Sequence, residues 1–235
     1  ITEEGNWEES SILWIRKSAA EFAAEKGISE PVLQQIIANG RSKLLAKRQS
    51  RKRPLTDDKV ILGWNALMNT AIIKAYAATG KIEYKKLAVN NMNFLLTSFA
   101  KGGKNERWHT WKNGVAKIPA FLDDYAFLVQ ALIELHDVTA DTQWLVIAKE
   151  ISGFVIHHFS DSTGNSPLFY YTGSSQQDVI LRKTEIYDGA LPSGNSVMAQ
   201  NLLKLSLYFD IPEWKSRSQE MYRQISQLTL KYPSA

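Results

Sequence analysis

The 235-residue sequence contains no cysteine. That absence excludes disulfides, thiolate nucleophiles, cysteine-ligated zinc and thioredoxin-type redox chemistry within this chain. Long apolar runs are missing too, since none approaches the roughly 20 residues that cross a bilayer. The opening ITEEGNWEE has neither the basic nor the apolar region of a signal peptide. No membrane or export signal is visible, and the cytoplasm is the expected compartment. Histidine is scarce: His109, His136, His157 and His158 are the full set, and none forms a His-Glu-x-x-His or comparable pair, so no metal centre is expected. No glycine-rich loop ends in Gly-Lys-Ser/Thr, and ATGKIEY reads as a link between helices. SGNS (193–196) lacks both a nucleophile elbow and a matched histidine. No cofactor is expected.

Acids are missing from one stretch. RSKLLAKRQSRKRP (41–54) holds Arg41, Lys43, Lys47, Arg48, Arg51, Lys52 and Arg53, and removing these seven cations from the net charge of +4 leaves −3. The run reads either as a solvated helix end whose cations suit the C-terminal dipole or as a polyanion site. No aromatics interleave with it for base stacking, so nucleic acid is not an expected partner.

What is present is the composition of an ordinary globular domain, 44% hydrophobic and 22% charged, arranged as a repeat. WNALMNTAIIKAYAATGKIEYKKLA from Trp64, DYAFLVQALIELHDVTADTQWLVIA from Asp124 and GNSVMAQNLLKLSLYFDIPEWKSRS from Gly194 align without gaps, which brings Tyr84, Trp144 and Trp214 into register. In the first, Trp64, Leu67, Met68, Ala71, Ile72, Ala75 and Tyr76 follow the spacing of a helix face, and Gly80 is a natural stop. A helix over 61–79 is predicted, followed by a second through Tyr84, Leu87, Ala88, Met92, Leu95 and Phe99. The equivalent hairpins run over 123–139 with 142–158, where Asp141 is the N-cap, and 194–210 with 212–231, where Pro212 takes the first turn. The first helix of each pair is the more apolar all round and should be the inner one.

Two links, RWHTWKNGVAKIP with its Asn113-Gly114 turn and PLFYYTGSSQQDVILR, read as small β-hairpins. ILWIRKSAAEFAAEKG and SEPVLQQIIANGRSKLLAKRQ add two helices, with Ser29 as N-cap, for about eight in all. The fold class is all-α: helical-hairpin repeats forming part of an (α/α) toroid, with β-hairpin insertions. The expected organisation is one domain over 1–235, with an N-terminal helical pair (1–53) and three hairpin repeats (54–235). At roughly 60 residues per unit a six-hairpin ring needs roughly 350 residues, so the chain reads as an open arc or as part of a longer protein.

The links enter the inner helices at their N-termini, so chemistry should gather at that end. Three clusters lie there: TDDKVILGWN with Asp57, Asp58, Trp64 and Asn65; FLDDYAF with Asp123, Asp124 and Tyr125; EIYDGALPSGNS with Glu185, Tyr187, Asp188, Ser193 and Asn195. Helix capping accounts for one carboxylate in each cluster. Asp123 is the expected cap, which leaves Asp124 facing the axis, and Asp188 stands apart from the Ser193 cap. Two surplus acids beside aromatics suit carbohydrate chemistry, in which one carboxyl protonates a leaving oxygen while another activates water or attacks. Asp124 and Asp188 are thus the candidate catalytic pair. Trp64, Tyr125 and Tyr187 form the candidate wall, with Asp58, Asn65, Ser193 and Asn195 as further candidate binding residues. The alternative is a scaffold in which the acids are caps and buried ties.

GNWE, KLLAKRQSRKRPLTDDKVILGWNALM, KIPAFLDDYAFLVQALIEL and EIYDGALPSGNS together resemble the large thioredoxin-domain-containing proteins related to spermatogenesis-associated protein 20. The resemblance covers nearly the whole chain. It implies a helical region similar to six-hairpin glycosidases and N-acylglucosamine 2-epimerases, with a thioredoxin-like domain and the remaining hairpins as partners in cis. It marks Asp58, Trp64, Asn65, Asp124, Tyr125, Asp188, Ser193 and Asn195 as family features. Ala66 stands where the family pattern has glycine, and the histidine pair of acylglucosamine-type epimerases is not located, so the resemblance does not extend to epimerisation.

Overall fold

The computed structural model describes residues 7, 12, 14–103, 105–176 and 179–231. It divides into two compact units, residues 1–57 and 58–235. The first contains α1 (Ala19–Glu25) and α2 (Glu30–Gln49). The expected helix from Ile12 onward begins only at Ala19, because Ser18 and Glu21 close a reciprocal capping box there: Ser18 N–H donates to Glu21 and Glu21 N–H donates to Ser18 Oγ. Ser29 occupies the N-cap of α2 without a side-chain bond. This unit leaves Ile36, Leu44 and Leu45 exposed. Of the GNWE motif, only Trp7 lies within the described residues.

The second unit comprises β1 (Val60–Ile61), α3 (Leu62–Thr79), α4 (Ile82–Ser98), β2 (Trp108–Lys112), β3 (Val115–Pro119), α5 (Leu122–Thr139), α6 (Thr142–Phe159), α7 (Gly194–Phe209) and α8 (Pro212–Lys231). The three hairpins fall within a residue or two of their sequence-predicted bounds. The β2–β3 hairpin forms over Asn113-Gly114, both in the left-handed region that this tight turn demands, and β1 adds an antiparallel third strand against β2. Among the described residues the second expected β-hairpin does not form, and two of its positions, 177 and 178, lie outside them. Around Phe169 the described backbone makes one isolated bridge, to Ser160, and Phe169 exchanges its remaining bonds with the side chain of Asn195 instead of a strand.

Helix α5 is the middle of the unit and packs on α3, α4, α6 and α7. It is buried nearly all round, with Phe127, Leu128, Leu132 and Ile133 wholly enclosed. Buried amides lock the layers at fixed heights: Asn69 donates to Ala88 O and Asn91 between α3 and α4, and Asn201 donates to Ala126 O between α7 and α5. Ser218 likewise ties α8 to Ala199 O of α7.

The repeat extends to the turns. Gly80, Ala140 and Asp210 occupy equivalent positions, all are left-handed with φ of 67°, 58° and 49°, and each returns its N–H to a carbonyl four residues back. Glycine occupies this position without steric penalty, whereas an L side chain there costs about 1 kcal/mol. Ala140→Gly should therefore raise stability by roughly 0.5–1 kcal/mol in urea unfolding, and a decrease would contradict this account of the turn.

Candidate functional site

The N-termini of α3, α5 and α7 converge, and each brings backbone N–H groups without intrahelical acceptors. Helix α5 supplies acceptors to all three. Its N-cap is Phe121, so Asp123 and Asp124 stand at the second and third helical positions. Asp124 is 2% exposed. Its Oδ1 accepts from Gly63 N–H of α3 at 2.8 Å, and its Oδ2 accepts from Phe121 N–H at 2.9 Å and meets His109 Nδ1 at 2.8 Å. Asp123 turns the other way and accepts from Gly194 N–H of α7. The expected division between an Asp123 cap and an axis-facing Asp124 is therefore corrected. Both acids cap, each serves a neighbouring helix, and Asp124 lies in the seam between α5 and α3.

The two carboxylates fit close beneath glycine. A Cβ at Gly63 would stand 3.0 Å from Asp124 Oδ1, and one at Gly194 only 2.3 Å from Asp123 Oδ1. Asp123 is the strained member electrostatically. Burial, reinforced by Asp124 and Glu185, pushes its carboxyl up to about 6 against the help of the Gly194 N–H. Tyr171 stacks on Phe121 at 5.0 Å between centroids, and burial together with the same three acids pushes its phenol up to about 12. The rings of His109 and Phe121 meet edge to face, with centroids 5.0 Å apart.

The remaining candidates separate into two groups. Tyr125 is 2% exposed; its hydroxyl accepts from Arg107 N–H and its ring packs on Phe154 and Phe159, so it belongs to the core rather than to an open wall. Asn195 is fully buried and clamps Phe169 N–H, Phe169 O and Glu185 O. Ser193, also buried, donates to Glu185 O, and Asn65 donates to Ile61 O. These four hold backbone. Trp64 and Tyr187 are more than half exposed, Asp58 pairs with Lys112 at the surface, and exposed Asp188 accepts from Ser193 N–H at 2.9 Å, a tie absent from the sequence reading. Sequence reasoning missed His109, Tyr171 and the titrating role of Asp123. The alternation in WHTWK places His109 on one face with Trp111, which identifies a face but not its partner. Among the described residues no group of three or more acids and histidines is arranged to hold a metal, and no helix is long and apolar enough to cross a membrane.

This geometry sits in a fold with known counterparts. No protein-family model matches the chain. It is similar to spermatogenesis-associated protein 20 of Homo sapiens. The identity is 28% over 223 residues, covering 91% of this chain and 28% of that protein. An uncharacterised protein of Caenorhabditis elegans is likewise 28% identical, over 92% of this chain and 30% of its own length. The resemblance read from the motifs thus holds over almost the whole sequence, which spans under a third of the curated relatives it matches. Among solved structures, a GH76 α-mannanase of Bacteroides thetaiotaomicron has a TM-score of 0.52 at 16% identity (73% of this chain, 44% of that one). Cellobiose 2-epimerase of Spirochaeta thermophila gives 0.55 at 14% (69% and 42%), and the unsaturated glucuronyl hydrolase of Bacillus sp. GL1 gives 0.53 at 14% (73% and 47%). The fold is that of the (α/α) toroids.

The position of Asp123 has a measurable consequence. Its folded-state value of about 6 lies above the ordinary 3.8, so between these the native state binds more protons and stability falls as pH rises. Asp123→Asn keeps an acceptor for Gly194 without the charge. The decline in urea midpoint from pH 4.5 to 7.5 should be smaller in Asp123→Asn than in the wild type; equal declines would show that Asp123 does not titrate in this window.

Proposed function

We propose that the converging inner-helix N-termini form a carbohydrate-recognition site. The observation that carries the reading is a half-buried carboxyl, Asp123, raised to about 6 beside an oriented His109–Asp124 pair and the stacked Phe121 and Tyr171 rings. A carboxyl in that range can hold a proton near neutrality and donate it to a leaving or bridging oxygen, the role that glycoside chemistry needs from one of two acids. In this reading Asp123 takes the acid role, replacing Asp124 in the candidate pair read from the sequence, Asp188 remains the second candidate, and Trp64 and Tyr187 offer exposed faces for a sugar ring. The toroid relatives add support by their names: a mannanase, a cellobiose epimerase and a glucuronyl hydrolase all act on sugars. Uncharged sugars fit better than uronates, because Asp123, Asp124 and Glu185 would repel a ligand carboxylate.

A second reading is favoured by a different observation: Asp123, Asp124 and Asp188 each accept a backbone N–H. Under it the domain is a scaffold for a thioredoxin-like domain and further hairpins in cis, with the acids as ties. Calorimetric titration of the full-length protein with methyl α-mannoside, cellobiose and glucuronate separates the two. The carbohydrate reading expects binding of the neutral sugars over glucuronate, weakened about 3–10-fold by Trp64→Ala. No binding of any of the three would favour the scaffold.

A further inference from the structure

We infer that His109 Nε2 is the hydrogen-bond acceptor that this site presents to a ligand, and that Asp124 acts through it as a positioning residue. The inference rests on the carbohydrate reading only for the identity of the ligand. Its first step is the saturation of Asp124. Both carboxylate oxygens already accept from fixed backbone donors, Gly63 N–H on Oδ1 and Phe121 N–H on Oδ2. A carboxylate, which accepts only, satisfies both of these and can take a third bond from an imidazole N–H; a protonated carboxyl would set its own hydrogen against them. The 2.8 Å contact is therefore Nδ1–H donating to Oδ2.

That bond sets the tautomer. With its proton on Nδ1, the neutral imidazole carries its lone pair on Nε2, and no described residue bonds to Nε2. The side chain is 23% exposed, so Nε2 has an outlet, and the ring cannot turn freely because it packs edge to face with Phe121, itself stacked on Tyr171. Strand β2 brings His109 in from one side while α5 supplies the aspartate and the phenylalanine from the other. A buried carboxylate and an aromatic contact thus hold a ring nitrogen in a fixed orientation, an arrangement in which an acceptor is preorganised rather than collected on binding. A hydroxyl donor suits it. Asp124 bonded to it, Asp123 nearby and Glu185 within reach of Asp123 oppose an anion, which narrows the ligand to an uncharged polyol such as a neutral saccharide.

The test is long-range proton–nitrogen NMR of the imidazoles in the full-length protein, with His109 assigned through His109→Gln. In its neutral form His109 should show a pyrrole-type Nδ1 and a pyridine-type Nε2. In Asp124→Asn, provided circular dichroism shows it folded, the two tautomers should mix. The opposite tautomer in the wild type overturns the inference whatever binds. Methyl α-mannoside and cellobiose should then shift Nε2 toward the hydrogen-bonded range, and His109→Gln should weaken their binding about tenfold. Sugar binding that leaves Nε2 unmoved overturns the role of His109 while the carbohydrate reading stands. Absence of any sugar binding overturns both.

Discussion

The second unit depends on the reach of two adjacent carboxylates. When helix hairpins stack with their inner helices parallel, the N-termini of those helices meet, each with unpaired N–H groups and the positive end of its dipole. Burial at that end would leave donors unsatisfied at a cost of about 1–3 kcal/mol each. Helix α5 lies between α3 and α7 and supplies the acceptors. Successive side chains on a helix diverge by about 100°, so neighbours at the second and third positions point to different flanks. Asp123 accordingly serves α7 and Asp124 serves α3. Gly63 and Gly194 allow the carboxylates to approach that closely.

The same ties set the register of what lies above them. Asp124 fixes His109, and through it the hairpin of β2 and β3; the loop carrying Tyr171 is drawn over the start of α5 by Leu122 N–H donating to Tyr171 O. Asn195, one residue past Gly194, then holds Phe169 and Glu185 by their backbones. A chain of side-chain to backbone bonds therefore replaces regular structure in the long link before α7. This is why the alternation around Phe169 does not become a regular strand: Phe169 has its donor and acceptor met by one buried amide, and its ring is buried in the core.

Helices were legible because their signals are local and repeated. Tyr84, Trp144 and Trp214 each stand third in an outer helix, and Gly80, Ala140 and Asp210 each make the same left-handed turn, although only one is glycine. The end of the fold where the inner-helix N-termini meet was legible for the same reason. The roles of individual residues were not, because they depend on contacts between elements. Adjacent acids at a helix start suggest a cap and a spare only if each helix is assumed to cap itself. Tyr125 read as a wall residue because its aromatic character is visible in sequence, whereas the bond that turns it inward, from Arg107 N–H, joins residues 18 apart. His109 was passed over because its partner lies on another element.

Capping leaves the two aspartates unequal, and that asymmetry bears on the proposed carbohydrate chemistry. Asp124 has three donors, two from backbone and one from imidazole, so its buried charge is compensated. Asp123 performs a similar tie with less help, against burial, Asp124 and Glu185. An asparagine at 123 would offer Gly194 the same acceptor with no charge to desolvate, so capping alone does not account for an aspartate there. What aspartate adds is an exchangeable proton, held close to neutrality and set beside an imidazole already fixed in place. The cap that needs only an acceptor thus carries a surplus ionisable group, and that surplus is where the chemistry of the site should be sought.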